Sequence, residues 1–295
     1  MRRARAAARV RVRRYGRPDG PARGADDRVA GEEPLELRYR IGDTWAPLVL
    51  TMRTPGADFE LAAGFLLAEG IVRERHDLRG MAYCVDVDED QHYNVVNVDL
   101  GPGARLPEAH ELRRFAATSA CGVCGKGQLE ALSMAGCAPV SSIAPVRAAL
   151  IASLPERMRG HQDLFDRTGG LHAAALFGAD GTLLALREDV GRHNALDKVL
   201  GWALLEGRVP LHGALVCVSG RSSFELAQKC VAAGVGLLAA VSAPSSLAID
   251  VARRFGLTLA GFVRGGSFNV YAGADQVVDD LAAHPDHRTD AAGTT

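Results

Sequence analysis

Lysine is scarce in this sequence. Lys126, Lys198 and Lys229 are the only three in 295 residues, and arginine carries the rest of the positive charge. Long apolar runs are missing as well. The longest smooth stretch, Val231 to Val241, is 11 residues and carries glycines, short of the roughly 18–20 that a bilayer-crossing helix needs. The first residues lack the apolar segment of a secretory signal, and no internal repeat is present. Cysteine is sparse, six in the chain. Without a signal these read as cytosolic thiols and not as a disulfide framework, so a cytoplasmic protein with no membrane partner is expected. The body also lacks an excess of positive charge. Residues 1–28 hold ten arginines against three aspartates, a net of +7, so the remainder carries −8 within an overall −1. A dedicated nucleic-acid binder concentrates basic charge in its folded domain, so no nucleic-acid partner is expected. What is there is an ordinary globular balance, 47% apolar and 23% charged, in a chain long enough to bury its own core.

The chain divides into five stretches. Residues 1–29, Arg-rich and without a lasting hydrophobic period, read as a disordered tail. Residues 30–115 read as a small α+β N-terminal subdomain. There LELRYRI and APLVLTMRT are half-buried strands around a Gly42-Asp43 turn, and a helix capped by Asp58 runs to Gly70. MAYCVDVDE and HYNVVNVDL then alternate as a hairpin. Residues 116–135 hold a C-x-x-C loop and a following helix. In residues 136–275, LHAAALF and TLLALRE flank an Ala-Asp-Gly turn, and three helices then alternate with strands up to a final strand, LTLAGFVRG. Strand–helix alternation with short connections specifies a layered α/β domain. Residues 276–295 read as a second disordered tail, where His284 and His287 lie three apart with no supporting ligands.

Chemistry concentrates in SACGVCGKGQLEALSMAG, where Cys121 and Cys124 form the only C-x-x-C of the chain. Two thiols are half of a zinc site, which needs four ligands. Cys84, Cys137, Cys217 and Cys230 are isolated in apolar settings and read as small core residues. A thioredoxin-like motif would follow a strand within a βαβ unit, and its aromatic or proline neighbours are missing here. Gly122, Gly125 and Gly127 make the loop conformationally permissive. Lys126 and a helix starting near Gln128 favour the thiolate. A mobile, electropositive loop with paired thiols suits chemistry delivered into a partner's site.

CGVCGK, TGGLHAAALF, REDVGRHNALDKVLGWAL, VSGRSSFELAQK and GFVRGGSFNVY, in that order, resemble the FdhD family of sulfurtransferases required for formate dehydrogenase maturation. EEPLELR and RTPGADFELAAGFLLAEGIV fit the N-terminal half of that family, so the likeness covers about residues 30 to 275. The resemblance implies a persulfide carrier. Sulfur passes from a cysteine desulfurase to the C-x-x-C loop, then to the molybdenum of the bis(molybdopterin guanine dinucleotide) cofactor, which is bound as substrate. Cys121, which leads the pair, fits as the carrier. Cys124 fits as a second acceptor or as the thiol that helps release sulfur, and Cys137 as a minor relay. Formate dehydrogenase is the implied recipient and a homodimer the implied assembly. Two other classes stay open: a thiol–disulfide redox protein using Cys121 and Cys124, and a cofactor-binding chaperone that carries no sulfur.

The family is similar in its C-terminal half to the three-layer cytidine deaminase-like α/β fold, and the element order here agrees. A zinc deaminase needs H-x-E on one helix and P-C-x-x-C opening the next. The sequence offers His193-Asn194-Ala195 and Ser219-Gly220-Arg221-Ser222-Ser223 instead, so neither zinc nor deamination is expected. Arg221 and Ser222 open a helix whose free N–H groups suit an anion. A second Gly-rich element, Phe262-Val263-Arg264-Gly265-Gly266-Ser267, follows a strand at the end where α/β sheets hold ligands. Taken alone it reads as a surface turn; the resemblance implies cofactor contact. Asp189, Gly191, Arg192 and His193 are either a helix start or a cofactor-facing cluster, and His172 reads as a buried strand histidine.

Overall fold

A computed structural model describes residues 5–16, 22–41, 43–88, 91–108, 111, 138–140 and 144–279. Its first element corrects an expectation. The stretch 1–29 is not a featureless tail, because β1 (Ala7–Arg14) and β2 (Arg23–Ala30) pair antiparallel, from Ala7 opposite Ala30 to Arg14 opposite Arg23. The cause is the alternation Arg9-Val10-Arg11-Val12-Arg13. A period of two puts Val10 and Val12, both half-buried, on one face and exposed arginines on the other.

β3 (Glu33–Ile41) and β4 (Thr44–Arg53) form the expected hairpin. After α1 (Asp58–Ala68) come β5 (Leu78–Tyr83) and β6 (Val95–Leu100), also paired antiparallel, in a sheet of order β4-β3-β6-β5. Leu35 and Leu37 of β3, Val96 and Val98 of β6, and Leu61 and Leu66 of α1 share one core. The helix start differs from expectation. Ala57, in the left-handed region at φ 56°, holds the cap position. Asp58 turns instead to the buried Arg53, accepting from Nε and Nη2 at 3.0 Å each.

The second half runs β7 (Val146–Arg147), α2 (Ala148–Arg159), α3 (Asp163–Thr168), β8 (His172–Phe177), β9 (Leu183–Asp189) and α4 (Arg192–Leu205). It continues through β10 (Leu215–Val218), α5 (Phe224–Ala232), β11 (Leu237–Ala240), α6 (Ser246–Phe255), β12 (Thr258–Arg264), β13 (Ser267–Ala272) and β14 (Val277–Val278). Six strands make one sheet of order β13-β12-β11-β10-β8-β9, with β10, β11 and β12 parallel. Ile151, Leu154 and Met158 of α2 cover one face, against Ala175, Phe177 and Cys217. α4, α5 and α6 cover the other, which gives the expected three-layer mixed α/β arrangement. Two boundaries move. The strand expected to be last is followed by β13, and the stretch 276–295 is not all tail, since Val277–Val278 pairs with β7. The C-x-x-C stretch, with Cys121 and Cys124, lies outside the described residues.

The two halves meet where α1 crosses α4. A side-chain carbon on Gly201 would overlap the Glu60 carbonyl oxygen, and one on Gly64 would overlap the Asp197 carbonyl oxygen. That close approach lets one apolar cluster run from Leu35 and Val98 through Leu196 and Val199 to Leu238. The described parts of stretches 30–115 and 136–275 are therefore two sheets that share one apolar cluster. Gly201→Ala must push the helices apart, and we expect a loss at the upper end of about 1–3 kcal/mol, read as a lower urea midpoint. A midpoint equal to the parent's would mean that the crossing tolerates a methyl group.

Candidate functional site

Because β10, β11 and β12 run parallel, their carboxyl ends share one edge, where open α/β sheets hold ligands. β8 runs against β10 and β9 against β8, so His172 at the start of β8 and Asp189 at the end of β9 reach the same edge. The connections there are stitched together by backbone bonds. The Ser242 N–H donates to the Gly220 carbonyl at 3.4 Å, the Ser245 N–H to the Ser222 carbonyl at 2.9 Å, and the Phe262 N–H to the Ser242 carbonyl at 3.1 Å.

The starts of α4 and α5 converge on this edge. His193 Nε2 lies 2.7 Å from Glu225 Oε2 and 3.3 Å from Ser223 Oγ, tying the first turn of one helix to that of the other. The hydrogen bond from His193 holds the Glu225 carboxyl below its usual range. Gly220 sits beside the His172 ring and the Arg192 side chain. Ser222 is fully buried, and neither its Oγ nor Arg192 Nε has a hydrogen-bond partner among the described residues. Arg221 is exposed. Arginines and histidines thus gather at two helix N-termini, which themselves carry partial positive charge. That is an arrangement for an anion.

The described structure separates the other expected site residues. Asp189 is fully buried and accepts from the N–H groups of Thr54 at 3.0 Å and Gly191 at 2.8 Å, and from Asn194 Nδ2 at 3.1 Å. It also pairs with Lys198 Nζ at 2.7 Å. Asp189 and Gly191 therefore hold the helix start, while Arg192 and His193 remain at the edge. Val263 is fully buried in the core under α2 and offers no surface to a ligand, against the expectation for it. Phe262 adopts φ 54°, unusual for a residue with a side chain. Its ring lies 5.6 Å from the Arg264 guanidinium carbon. Gly265 and Gly266, at φ 57° and 78°, make the tight turn from β12 into β13, and Ser267 Oγ donates to the Arg264 carbonyl at 3.2 Å. Sequence reading missed the placing of His172 beside Arg192, because strand direction and not spacing brings them together.

The described cysteines are poor nucleophiles. Cys84, Cys217 and Cys230 are free and buried, burial pushes the Cys217 thiol up to about 12, and Cys230 is raised for the same reason. Among the described residues no group of three or more His, Cys, Asp or Glu side chains is arranged to hold a metal ion. No described helix is long and apolar enough to cross a membrane.

His172 gives the edge a pH signature. Burial, with the charges of Arg192 and His193, holds its pKa below 6.5. A histidine whose folded pKa lies below its unfolded one adds stability above about pH 6.5, and that stability is lost as pH falls through the folded value. We expect the parent's urea midpoint to fall more than that of His172→Asn between about pH 7 and pH 5.5. An anion bound beside the ring should remove the difference. Equal slopes for the two proteins would show that His172 does not sense the cluster.

A three-layer mixed α/β protein with a cationic sheet edge is the class that this fold and site define. The chain belongs to the FdhD/NarQ family, whose family model matches residues 30–278. It is 53% identical over 263 residues to the sulfur carrier protein FdhD of Streptomyces coelicolor, covering 88% of this chain and 92% of that one. Against the sulfur carrier protein FdhD of Mycobacterium tuberculosis the identity is 51% over 255 residues, 84% and 91% of the two chains. A crystal structure from Desulfotalea psychrophila, described as a formate dehydrogenase accessory protein, superposes with a TM-score of 0.69. It has 25% identity and covers 92% of this chain and 98% of its own.

Proposed function

We propose that this protein is a cytoplasmic sulfurtransferase. It takes sulfane sulfur from a cysteine desulfurase and delivers it to the molybdenum of bis(molybdopterin guanine dinucleotide) for formate dehydrogenase. In loading, the Cys121 thiolate attacks the outer sulfur of the desulfurase persulfide. A new S–S bond forms on Cys121 and the desulfurase leaves as a thiolate, with no net oxidation. In release, the Cys124 thiolate attacks Cys121 Sγ, the persulfide S–S bond breaks, and sulfur departs as hydrosulfide. The pair supplies the two electrons and becomes a disulfide, which a cellular dithiol then reduces. The relatives' printed name, sulfur carrier protein, supports the sulfur half of this reading.

The observation on this chain that carries the cofactor half is the cationic edge. Arg192, Arg221 and His193 stand at two helix starts, and the buried Ser222 Oγ there has no hydrogen-bond partner among the described residues. The cofactor brings pyrophosphate groups, and Phe262, Arg264, Gly265, Gly266 and Ser267 offer a second contact in the β12–β13 turn. The protein works as a homodimer and holds no resident zinc. The guanosine and phosphates of GDP stand in for one end of the cofactor, so the full chain should bind GDP without molybdenum. Loss of a charge-assisted phosphate contact costs roughly 1.5–3 kcal/mol, on the order of ten- to a hundredfold in affinity. We expect Arg264→Ala to weaken GDP by about that factor in titration calorimetry, and Cys121→Ala to bind like the parent. If Arg264→Ala binds GDP as the parent does, the β12–β13 turn is only a turn and the cofactor lies elsewhere.

A further inference from the structure

The β1–β2 ribbon has no part in the sulfur and cofactor chemistry above and precedes almost all of the span matched by the family, which starts at residue 30; what it can add rests on the homodimer of that reading. We propose that its arginine face is an interaction surface for a second copy of this chain, and that it docks on the acidic β5–β6 connection around Asp86 and Asp88. β2 rests against α3, and the ribbon's other face carries half-buried Val10, Val12 and Ala25. Arg9, Arg11 and Arg13 share the outer face with Arg28 across the register, and all four are exposed. Arg9 pairs with Asp26 at 3.2 Å, both side chains remaining more than half exposed. Arg11 and Arg13 make no ion pair among the described residues.

The face carries four arginines around one carboxylate, Asp26, which lies opposite Arg11 and pairs with Arg9, and the planar fork of arginine suits carboxylates or phosphates. Charge decides between them. The body of the chain carries −8 and opposes close approach of a polyanion, and the one exposed aromatic ring beside these arginines, Tyr15, is already covered by the Arg13 guanidinium, 6.0 Å from its centroid. The same −8 makes a second copy the complementary partner. Asp86 and Asp88 are exposed beside Val85, which is 76% exposed, and the sequence continues with Glu89 and Asp90. On the ribbon the arginines recur every second residue, about 6.8 Å apart along a strand. No ion pair joins the ribbon to this connection within one chain among the described residues, so both surfaces are left for another molecule.

The test is sedimentation velocity on the full chain at low and high salt. Because facing charges outside a buried core are screened, association should weaken as salt rises. Arg9→Glu/Arg11→Glu/Arg13→Glu should weaken it at low salt by at least about tenfold, and Asp86→Arg/Asp88→Arg by a similar factor. Each variant's circular dichroism should match the parent's, because the changed side chains are exposed. Mixing the two variants should restore association, since each reversed surface then meets its complement. A parent that is monomeric at every salt, or a dimer that neither variant weakens, would overturn the proposal. So would a parent that captures duplex DNA through the ribbon while its self-association ignores the reversals. Sulfur loading of the same variants is measured separately, so failure here leaves the sulfur-carrier reading untouched.

Discussion

Replacing Cys121 with alanine is expected to reduce formate dehydrogenase maturation to the background of cells lacking this protein. The same change should leave the fold and the urea midpoint near the parent's. Persulfide transfer needs a thiolate that can be approached from outside. Cys84, Cys217 and Cys230 are buried. With the Cys217 thiol pushed up to about 12, its thiolate fraction near neutral pH is on the order of one part in ten thousand or less. None of the three can take over the role. Cys124→Ala should separate the two steps, still accepting sulfur from the desulfurase but failing to release it. Intact mass spectrometry after incubation with desulfurase and cysteine, followed by tryptic mapping, reads both outcomes. One added sulfur should sit on the Cys121 peptide of the parent and of Cys124→Ala, reversible by reductant. The Cys121→Ala chain should gain none. If Cys121→Ala still gains one sulfur and restores enzyme activity, the carrier is another thiol. If the parent gains none but cycles between dithiol and disulfide, the protein belongs to redox chemistry.

The parts of the fold legible in the sequence are those set by local periodicity. β10 and β11 are four-residue buried runs bounded by Gly and Ser. α6 announces both ends, with Ser245 Oγ accepting from the Ala248 N–H at 3.2 Å and Gly256 in the left-handed region at φ 75°. The ribbon of β1 and β2 was equally periodic but was hidden by its charge density, since four of the eight residues of β1 are arginine. α2 carries Ile151, Leu154 and Met158 at helical spacing, interrupted in sequence by Pro155. The site was legible only in pieces. Arg221, Ser222, His193 and the turn at Arg264 could be named from motif and resemblance. That His172 belongs beside Arg192 depends on two strands running in opposite directions. Asp189 is an anchor because Thr54 reaches it from 135 positions away, a separation that no local pattern records.

The lysine scarcity noted at the outset has a structural counterpart. Both described lysines are buried in ion pairs, Lys198 with Asp189 and Lys229 with Asp197. Around Lys229 burial opposes the charge, but the charges of Asp197, Glu69 and Glu225, with the hydrogen bond to Asp197, together outweigh it and the ammonium's pKa is raised. Lys198 carries more of the architecture. Its Nζ donates to the Thr54 carbonyl at 2.8 Å and meets Asp189 Oδ2 at 2.7 Å. Asp189 in turn holds Thr54, Gly191 and Asn194, and Asn194 Nδ2 donates to the Met52 carbonyl at 2.7 Å. One pair thus ties the end of β4 to the start of α4, the helix that presents Arg192 and His193. Lys198→Met keeps the stem's length but strands a fully buried carboxylate, and breaking a buried pair from one side costs about 3–5 kcal/mol. Asp189→Asn strands the ammonium instead and should cost a similar amount. The double variant Asp189→Asn/Lys198→Met leaves no charge behind, so its loss should fall short of the sum of the singles by about 2 kcal/mol or more. Urea unfolding of the four proteins measures this directly, and additive losses would mean that the two groups do not act as a pair. Under conditions where Lys198→Met is still folded, its GDP affinity should also drop, because the helix start that positions Arg192 has lost its anchor.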